Sequence, residues 1–400
     1  MELSCYVHQY AWGKVGHQSE VALLKKDADP SFIISDNCPY AELWMGTHPS
    51  GPSLLKDSGE KLEEWIKSNP ETLGSKVREA FGDQLPYLFK VLSVQKALSI
   101  QAHPSKAHAE ELHKKHPNLY KDPNHKPEIA IALTPFEALC GFRPAAEIKN
   151  FLENIVELRI LVGQEVASQL MNSDETGLQK ALKDCFSALM TCPDDRVLTQ
   201  TNAFIARLSN LDEDSRERDC ASLFERLHSQ FPGDVGCFVI YFLNYLKLSP
   251  GEAIYLGPNE PHAYIYGDCV ECMSCSDNVV RAGLTPKHRD VATLCEMLNY
   301  VCGAERKFSS TKKEDAHTTL FAPPIKDFAV AKIDVPGGCK NYKILPRSSA
   351  SICIVIQGQF EIDSVSHKRG SVIFLPAGQS LVISNSEQQS LLIFQAFSNV

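Results

Sequence analysis

The chain has no apolar run near the ~20 residues needed to cross a bilayer; its longest, "VGCFVIYFL" (235–243), falls well short. Its beginning, "MELSCYVHQYAWGK", has no cationic segment followed by an apolar core, so it does not read as an export signal. It also lacks an excess of positive charge. Forty Lys and Arg stand against 49 Asp and Glu, a net charge of −9, which leaves no electrostatic footprint for nucleic acid. No low-complexity stretch or long linker interrupts it. Cysteine, by contrast, is plentiful. The 14 cysteines follow no framework spacing, and several, such as Cys353 in "SICIVI", sit in apolar runs. That pattern fits reduced, buried thiols in the cytoplasm rather than a disulfide scaffold. The expected partner is a small molecule, and the expected state a monomer.

Four hundred residues exceed one simple core and imply two or three domains. Residues 1–144 alternate short apolar runs with turn clusters, which reads as strands and loops. One helix is expected at "LEEWIKSNPETLG", where Leu62, Trp65 and Ile66 share a face. The histidines of "KAHAEELHKKH" read as a solvated helix face. After "GFRP" the period becomes helical. Ile148, Phe151, Leu152, Ile155 and Val156 mark one face, and Leu182, Cys185, Phe186 and Leu189 another. Residues 145–234 therefore form a helical insertion. Strand character returns over 235–306, and 307–400 is again short β segments. "GEAIYLGPNEPHAY" and "GSVIFLPAGQSLVI" share one plan of Gly, strand, Pro-containing turn and strand, which is how jelly-roll barrels of the cupin kind read. The first copy carries His262; the second has Leu381 in the comparable place. The fold class is thus mainly β with a helical insertion: two cupin-type jelly rolls, only the first able to hold a metal, plus an α-helical domain.

In "SIQAHP" an extended chain puts Ser99, Gln101 and His103 on one face and Ile100 and Ala102 on the other. A strand with an apolar outer face and an amide beside an imidazole on its inner one suggests a metal. In "NHKPE", Pro127 biases Lys126 to extended backbone, so Lys126 and Glu128 share a face. Gln101, His103, Glu128 and His262 make an N/O set suited to zinc, with room for water or substrate. The rival, "CVECMSC", splits as a strand into Cys269, Glu271, Met273 and Cys275 on one side and Cys272 on the other, so its thiols cannot converge. One metal per chain is expected. In "SDNVVRAGLTPK", Arg281 and Lys287 sit in a loop shaped by Gly283 and Pro286. They read either as a phosphate clamp or as two solvated cations. Lys126 lies beside a candidate ligand and so suits proton transfer.

"YKDPNHKPE" and "PHAYIYGDCVECMSCSDNVVRAGLTPK" closely resemble the two signature segments of type I phosphomannose isomerase. This family of zinc enzymes interconverts mannose 6-phosphate and fructose 6-phosphate. "QYAWGK", "PYAELWMGTHPSG", "LFKVLSVQKALSIQAHP" and "LTPFEALCGFRP" are similar to further stretches of its animal and fungal members. The likeness runs from about residue 5 to 295 and more loosely to the end. Ser274 departs from the alanine that most members carry, a small-for-small change expected to affect local packing only. The resemblance implies that Gln101, His103, Glu128 and His262 are the zinc ligands and that Arg281 is catalytically important. It also implies a metal-bearing jelly roll (1–144 with 235–306), a helical domain and a second, metal-free jelly roll. The product would supply mannose 6-phosphate for GDP-mannose and glycosylation.

Aldose–ketose isomerisation moves a proton between carbons 2 and 1 of the open-chain sugar through an enediolate. Zinc is expected as Lewis acid and template. Glu271 or Lys126 are the candidates for carbon-bound proton transfer, and His125 or Lys126 for ring opening. Ser99 is a candidate phosphate contact, and Trp12, Glu42, Tyr264 and Asp277 candidate pocket walls. An Fe(II) oxygenase is the alternative use of a metal cupin, but the glutamine ligand and the cationic loop argue against it. A catalytically dead sugar-phosphate sensor is the other, and the intact ligand set with Arg281 argues for turnover.

Overall fold

The turn-punctuated apolar runs become two antiparallel sheets, of ten and eight strands. The helical-period segment becomes a block of seven α-helices, from Ala145–Asn154 to Ala221–Gln230. The structure is a computed structural model that describes residues 1–304, 307–339, 341–362, 365–385 and 388–400. Residue 306, where the sequence reading ends the first β unit, lies outside them. The molecule is mainly β with a helical insertion, as expected.

The ten-stranded sheet is built around one long strand, His262–Ser274. Its second half lies between Tyr87–Val94 and Glu128–Ala132; its first half pairs with Phe136–Phe142 and, at His262, with Gln101. All eight residues of Tyr87–Val94 are buried, because both faces of that strand are covered. Leu92 and Val94 point into the barrel with Tyr264 and Cys269. Phe89 and Val91 instead meet Ile352, Ile354, Phe374 and Phe394 of the C-terminal sheet. Each such side chain, fully buried, contributes roughly 1.5–3 kcal/mol, so the two sheets share one apolar layer rather than a hinge. The Tyr87 hydroxyl crosses it and donates to the Ala396 carbonyl at 3.0 Å.

Several features differ from the sequence reading. Residues 2–4 and 54–55, grouped there with the metal-bearing barrel, instead extend the C-terminal sheet. Leu3 lies opposite both Val372 and Leu55, and both leucines enter the shared apolar layer. Two more helices, Glu20–Ala28 and Ser75–Phe81, lie among the N-terminal strands, the first capped by the Ser19 hydroxyl accepting from the Ala22 amide. Val156 is exposed, because the helical chain breaks at Ile155 and restarts. The 3-10 turn Val235–Tyr241, assigned to the returning strands, is fully buried with the helices. That helical core also takes in Ile100, Ala102, Ile265, Ala282 and Leu284, so the helical block backs the strands that carry the site. No helix among the described residues is long and apolar enough to cross a membrane.

Candidate metal centre and adjoining cavity

Alternation along "SIQAHP" works as the sequence predicts. Ile100 and Ala102 pack into the helical core, while Gln101 turns the other way beside His262, its register partner. His103 is fully buried. Its Nδ1 lies 2.8 Å from the Asn278 carbonyl oxygen, and Nδ1 of His262 lies 2.9 Å from that of Glu260. A carbonyl can only accept, so both rings carry their proton on Nδ1 and present a bare Nε2 to the interior. Both Nε2 atoms face Glu128, at 3.4 Å and 3.7 Å from its two carboxylate oxygens. The Gln101 amide nitrogen stands 3.3 Å from His262 Nε2, and a half-turn of that amide presents its oxygen there instead.

Nε2 of His103 and Oε2 of Glu128 are buried without a hydrogen-bond partner. Leaving such groups unsatisfied costs ~1–3 kcal/mol each, and one cation between them removes the penalty. Burial opposes ionisation of Glu128, but its neighbours His103 and Lys126 outweigh it and hold the carboxyl well below its usual range. Burial and the nearby His103 push the His262 imidazole down to about 4, so it stays neutral, as a ligand must. Among the described residues, His103, Glu128 and His262 are the one His/Cys/Asp/Glu group whose ligand atoms lie within 4.8 Å of one another. Two imidazoles, a carboxylate and an amide suit zinc. The cysteines of "CVECMSC" are free and do not converge: Cys269 faces the barrel interior and Cys272 the sheet–sheet layer.

Above this cluster opens a cavity of about 430 Å³ that brings together Trp12, Glu42, Ser99, Gln101, Lys126, Glu128, Tyr264, Glu271, Asp277, Arg281 and Lys287. Ser99 Oγ donates to Gln101 Oε1 at 3.3 Å. The Tyr264 hydroxyl donates to Glu271 at 2.9 Å, and Lys90 Nζ lies 3.2 Å from the other Glu271 oxygen and 3.8 Å from Glu42. Trp44 Nε1 donates to Glu42. Burial, with Glu128 nearby, pushes the Glu271 carboxyl up to about 7 against the pull of Lys90 and Lys126. Burial alone would lower Lys90, but Glu42 and Glu271 outweigh it and keep the ammonium charged. At the mouth, Arg281 and Lys287 have no acidic side chain in ion-pair contact among the described residues, and burial lowers the pKa of both. Asp277 is the acidic exception there, held by His48 Nε2 at 3.3 Å and thereby kept ionised.

One candidate is not brought in. His125 does not line the cavity; its Nε2 lies 2.9 Å from Asp327 of the C-terminal region. The extended backbone before Pro127 sends Lys126 inward, to 3.3 Å from Glu128, and so sends its neighbour outward. Two cationic cavity residues, among others, escape the sequence reading. Lys90 is the lone charge in "YLFKVLSV", and an inward lysine in such a run was a readable signal. Lys96 stands over the Phe231 ring at 4.2 Å, a contact made only once the helices fold back.

The chain is similar to known proteins along nearly its whole length. Residues 1–145 match the catalytic domain of type I phosphomannose isomerase, 161–243 its helical insertion domain and 319–368 its C-terminal part. The mannose-6-phosphate isomerases of Bos taurus and Homo sapiens are 49% and 48% identical, each alignment covering 98% of this chain and 97% of the relative. The crystal structure of mannose 6-phosphate isomerase from Salmonella typhimurium, bound to its substrate and a zinc atom, superposes with a TM-score of 0.82 at 29% identity, covering 100% of this chain and 99% of that one. The chain belongs to the type I phosphomannose isomerase family.

Proposed function

We propose that this protein is a zinc-dependent isomerase that interconverts mannose 6-phosphate and fructose 6-phosphate. One observation carries the reading: Glu128, whose Oε2 and the adjacent His103 Nε2 are both unsatisfied, lines a cavity whose mouth holds two cations with no ion-pair partner among the described residues. Gln101, His103, Glu128 and His262 would hold one zinc, and the sequence offers the second β unit no ligand at Leu381. When bound, zinc supplies Lewis-acid polarisation of the sugar's carbonyl region.

The chain's own groups divide the remaining work. Arg281 and Lys287, with Ser99 on the wall, offer donors to the phosphate or to charge developing on the sugar oxygens. Glu271 is the candidate to carry the proton between carbons 2 and 1 through an enediolate. Its carboxyl near 7 exchanges protons readily, and the Tyr264 and Lys90 contacts fix its direction. Lys126, already against Glu128, is the candidate for opening the ring. Trp12, Glu42 and Asp277 shape the pocket. We also propose that it acts as a monomer on a free sugar phosphate. The 14 free thiols support a reducing, cytosolic setting, and mannose 6-phosphate so formed would feed GDP-mannose and glycosylation. We also propose a division into a metal-bearing β unit, the helical insertion and a metal-free β unit. Coupled assay of mannose 6-phosphate conversion, with and without a chelator, tests the function: no conversion by metal-replete protein contradicts it.

A further inference from the structure

His103 owes its orientation to a carbonyl that lies outside regular structure. Asn278 sits between the strands His262–Ser274 and Val280–Gly283, so no sheet ladder fixes its position. Asp122 fixes it instead. The Asp122 carboxylate accepts from the Ser276 hydroxyl at 2.8 Å and from the Asp277 amide at 2.8 Å. The Asn278 side-chain nitrogen donates to the Asp122 carbonyl at 2.6 Å and to that of Asn124 at 2.9 Å. Ser276 Oγ closes the knot by accepting from the Asn278 amide at 3.1 Å. One residue thereby ties down three consecutive residues of the loop, and Asn278 is only 1% exposed. The last member of the chain is the 2.8 Å contact from His103 Nδ1 to the Asn278 carbonyl oxygen.

We infer that Asp122 is a positioning residue for the metal ligand His103, acting through Ser276 and the Asn278 carbonyl. The sequence offers no role for it, and it touches neither the cavity's floor nor the His103 ring. Its effect is on which nitrogen of His103 is bare and where that nitrogen points. Partners of this kind, one step behind a ligand, typically govern roughly ten- to hundredfold of metal affinity. An asparagine at 122 keeps the shape but leaves one accepting oxygen where there were two, so either the Asp277 amide loses its acceptor or the Ser276 hydroxyl must stop donating to residue 122 and turn its proton to the Asn124 carbonyl at 3.1 Å. The inference rests on the zinc reading only for the identity of the ion.

Zinc affinity of wild type and Asp122→Asn, measured by competition with a chromophoric chelator, tests it, beside thermal unfolding of the metal-free proteins. The expected result is a roughly ten- to hundredfold loss of affinity with a melting temperature close to wild type. Nitrogen NMR of His103 in metal-free protein should show one tautomer, protonated on Nδ1, in wild type and a mixture in the variant. A variant with unchanged zinc affinity and an unchanged tautomer overturns the inference, whatever its melting temperature. A wild type that binds no zinc but keeps a single His103 tautomer, lost in the variant, overturns the zinc reading and leaves the positioning role intact. Should Asp122→Asn fail to fold, Ser276→Ala, which removes the hydroxyl between Asp122 and Asn278, is expected to lose zinc affinity several-fold; no loss there overturns the inference.

Discussion

Tyr264 and Glu271 lie on one strand, an odd number of residues apart, yet the Tyr264 hydroxyl donates to the Glu271 carboxylate at 2.9 Å. Strict alternation would put them on opposite faces. The register to Phe136–Phe142 slips at Glu137/Ala138, so that Tyr266 and Tyr264 oppose consecutive residues and Ile265 is the extra one. That single bulge turns His262 and Tyr264 to the same side as Cys269 and Glu271. One strand can then serve both the metal cluster and the cavity wall.

The strand turns at Gly267, and the turn requires glycine. Its φ is +109°, and a Cβ there would lie 2.4 Å from the Pro135 carbonyl oxygen and 2.8 Å from Phe136 Cα. Gly267→Ala is expected to destabilise the protein by on the order of 1–3 kcal/mol and to reduce activity as Tyr264 and His262 shift. Urea unfolding measures the first effect. An unchanged midpoint would show that the bulge relaxes without cost.

Arg281 reaches the cavity half-buried and without an acidic ion-pair partner among the described residues. Its charge is therefore free for an anion that appears during reaction. Arg281→Ala should lower kcat by on the order of a hundredfold with zinc content unchanged, as expected for a group that stabilises developing charge. Steady-state kinetics on metal-replete variant decide it: a kcat within a few-fold of wild type, with a raised KM, makes Arg281 a ground-state anchor.

His125 points away from the cavity towards Asp327 at 2.9 Å. His125→Gln is accordingly expected to keep zinc and to hold kcat within about tenfold, since the reacting atoms lie beyond its reach. A loss of several orders of magnitude in kcat, at full zinc content, would return His125 to the chemistry.

Much of this site could be read from local backbone alternation. Gln101 and His103 share an inner face, and Lys126 and Glu128 share another, because a few residues of extended chain suffice to set them. What stayed hidden depends on distant partners. Lys90 acquires its meaning from Glu42 and Glu271 across the sheet, and the strand Glu2–Ser4 from Val372 and Ile373 near the other end of the chain. The helix Glu20–Ala28 was masked by its brevity and charge, although Ser19 offered a capping signal. The Ile265 bulge leaves no mark beyond a glycine two residues on.

pH should act on the metal-free protein through His262. Its folded pKa, about 4, lies below the ordinary 6.5. Between these values the unfolded chain binds the proton and the folded one does not, so stability falls as pH drops through that window. The full loss is on the order of 3 kcal/mol. Urea titrations at several pH values, on chelator-treated wild type and His262→Gln, should show this loss in wild type only. Parallel slopes would mean that His262 titrates normally.

One zinc at Gln101, His103, Glu128 and His262 is proposed to serve isomerisation of mannose 6-phosphate. The most direct measurement titrates zinc back into chelator-treated protein while following conversion of mannose 6-phosphate to fructose 6-phosphate. Activity should rise linearly and saturate at one equivalent per chain, and His262→Ala should neither retain zinc nor regain activity. Saturation at two equivalents, full activity without metal, or a fully active His262→Ala would contradict it.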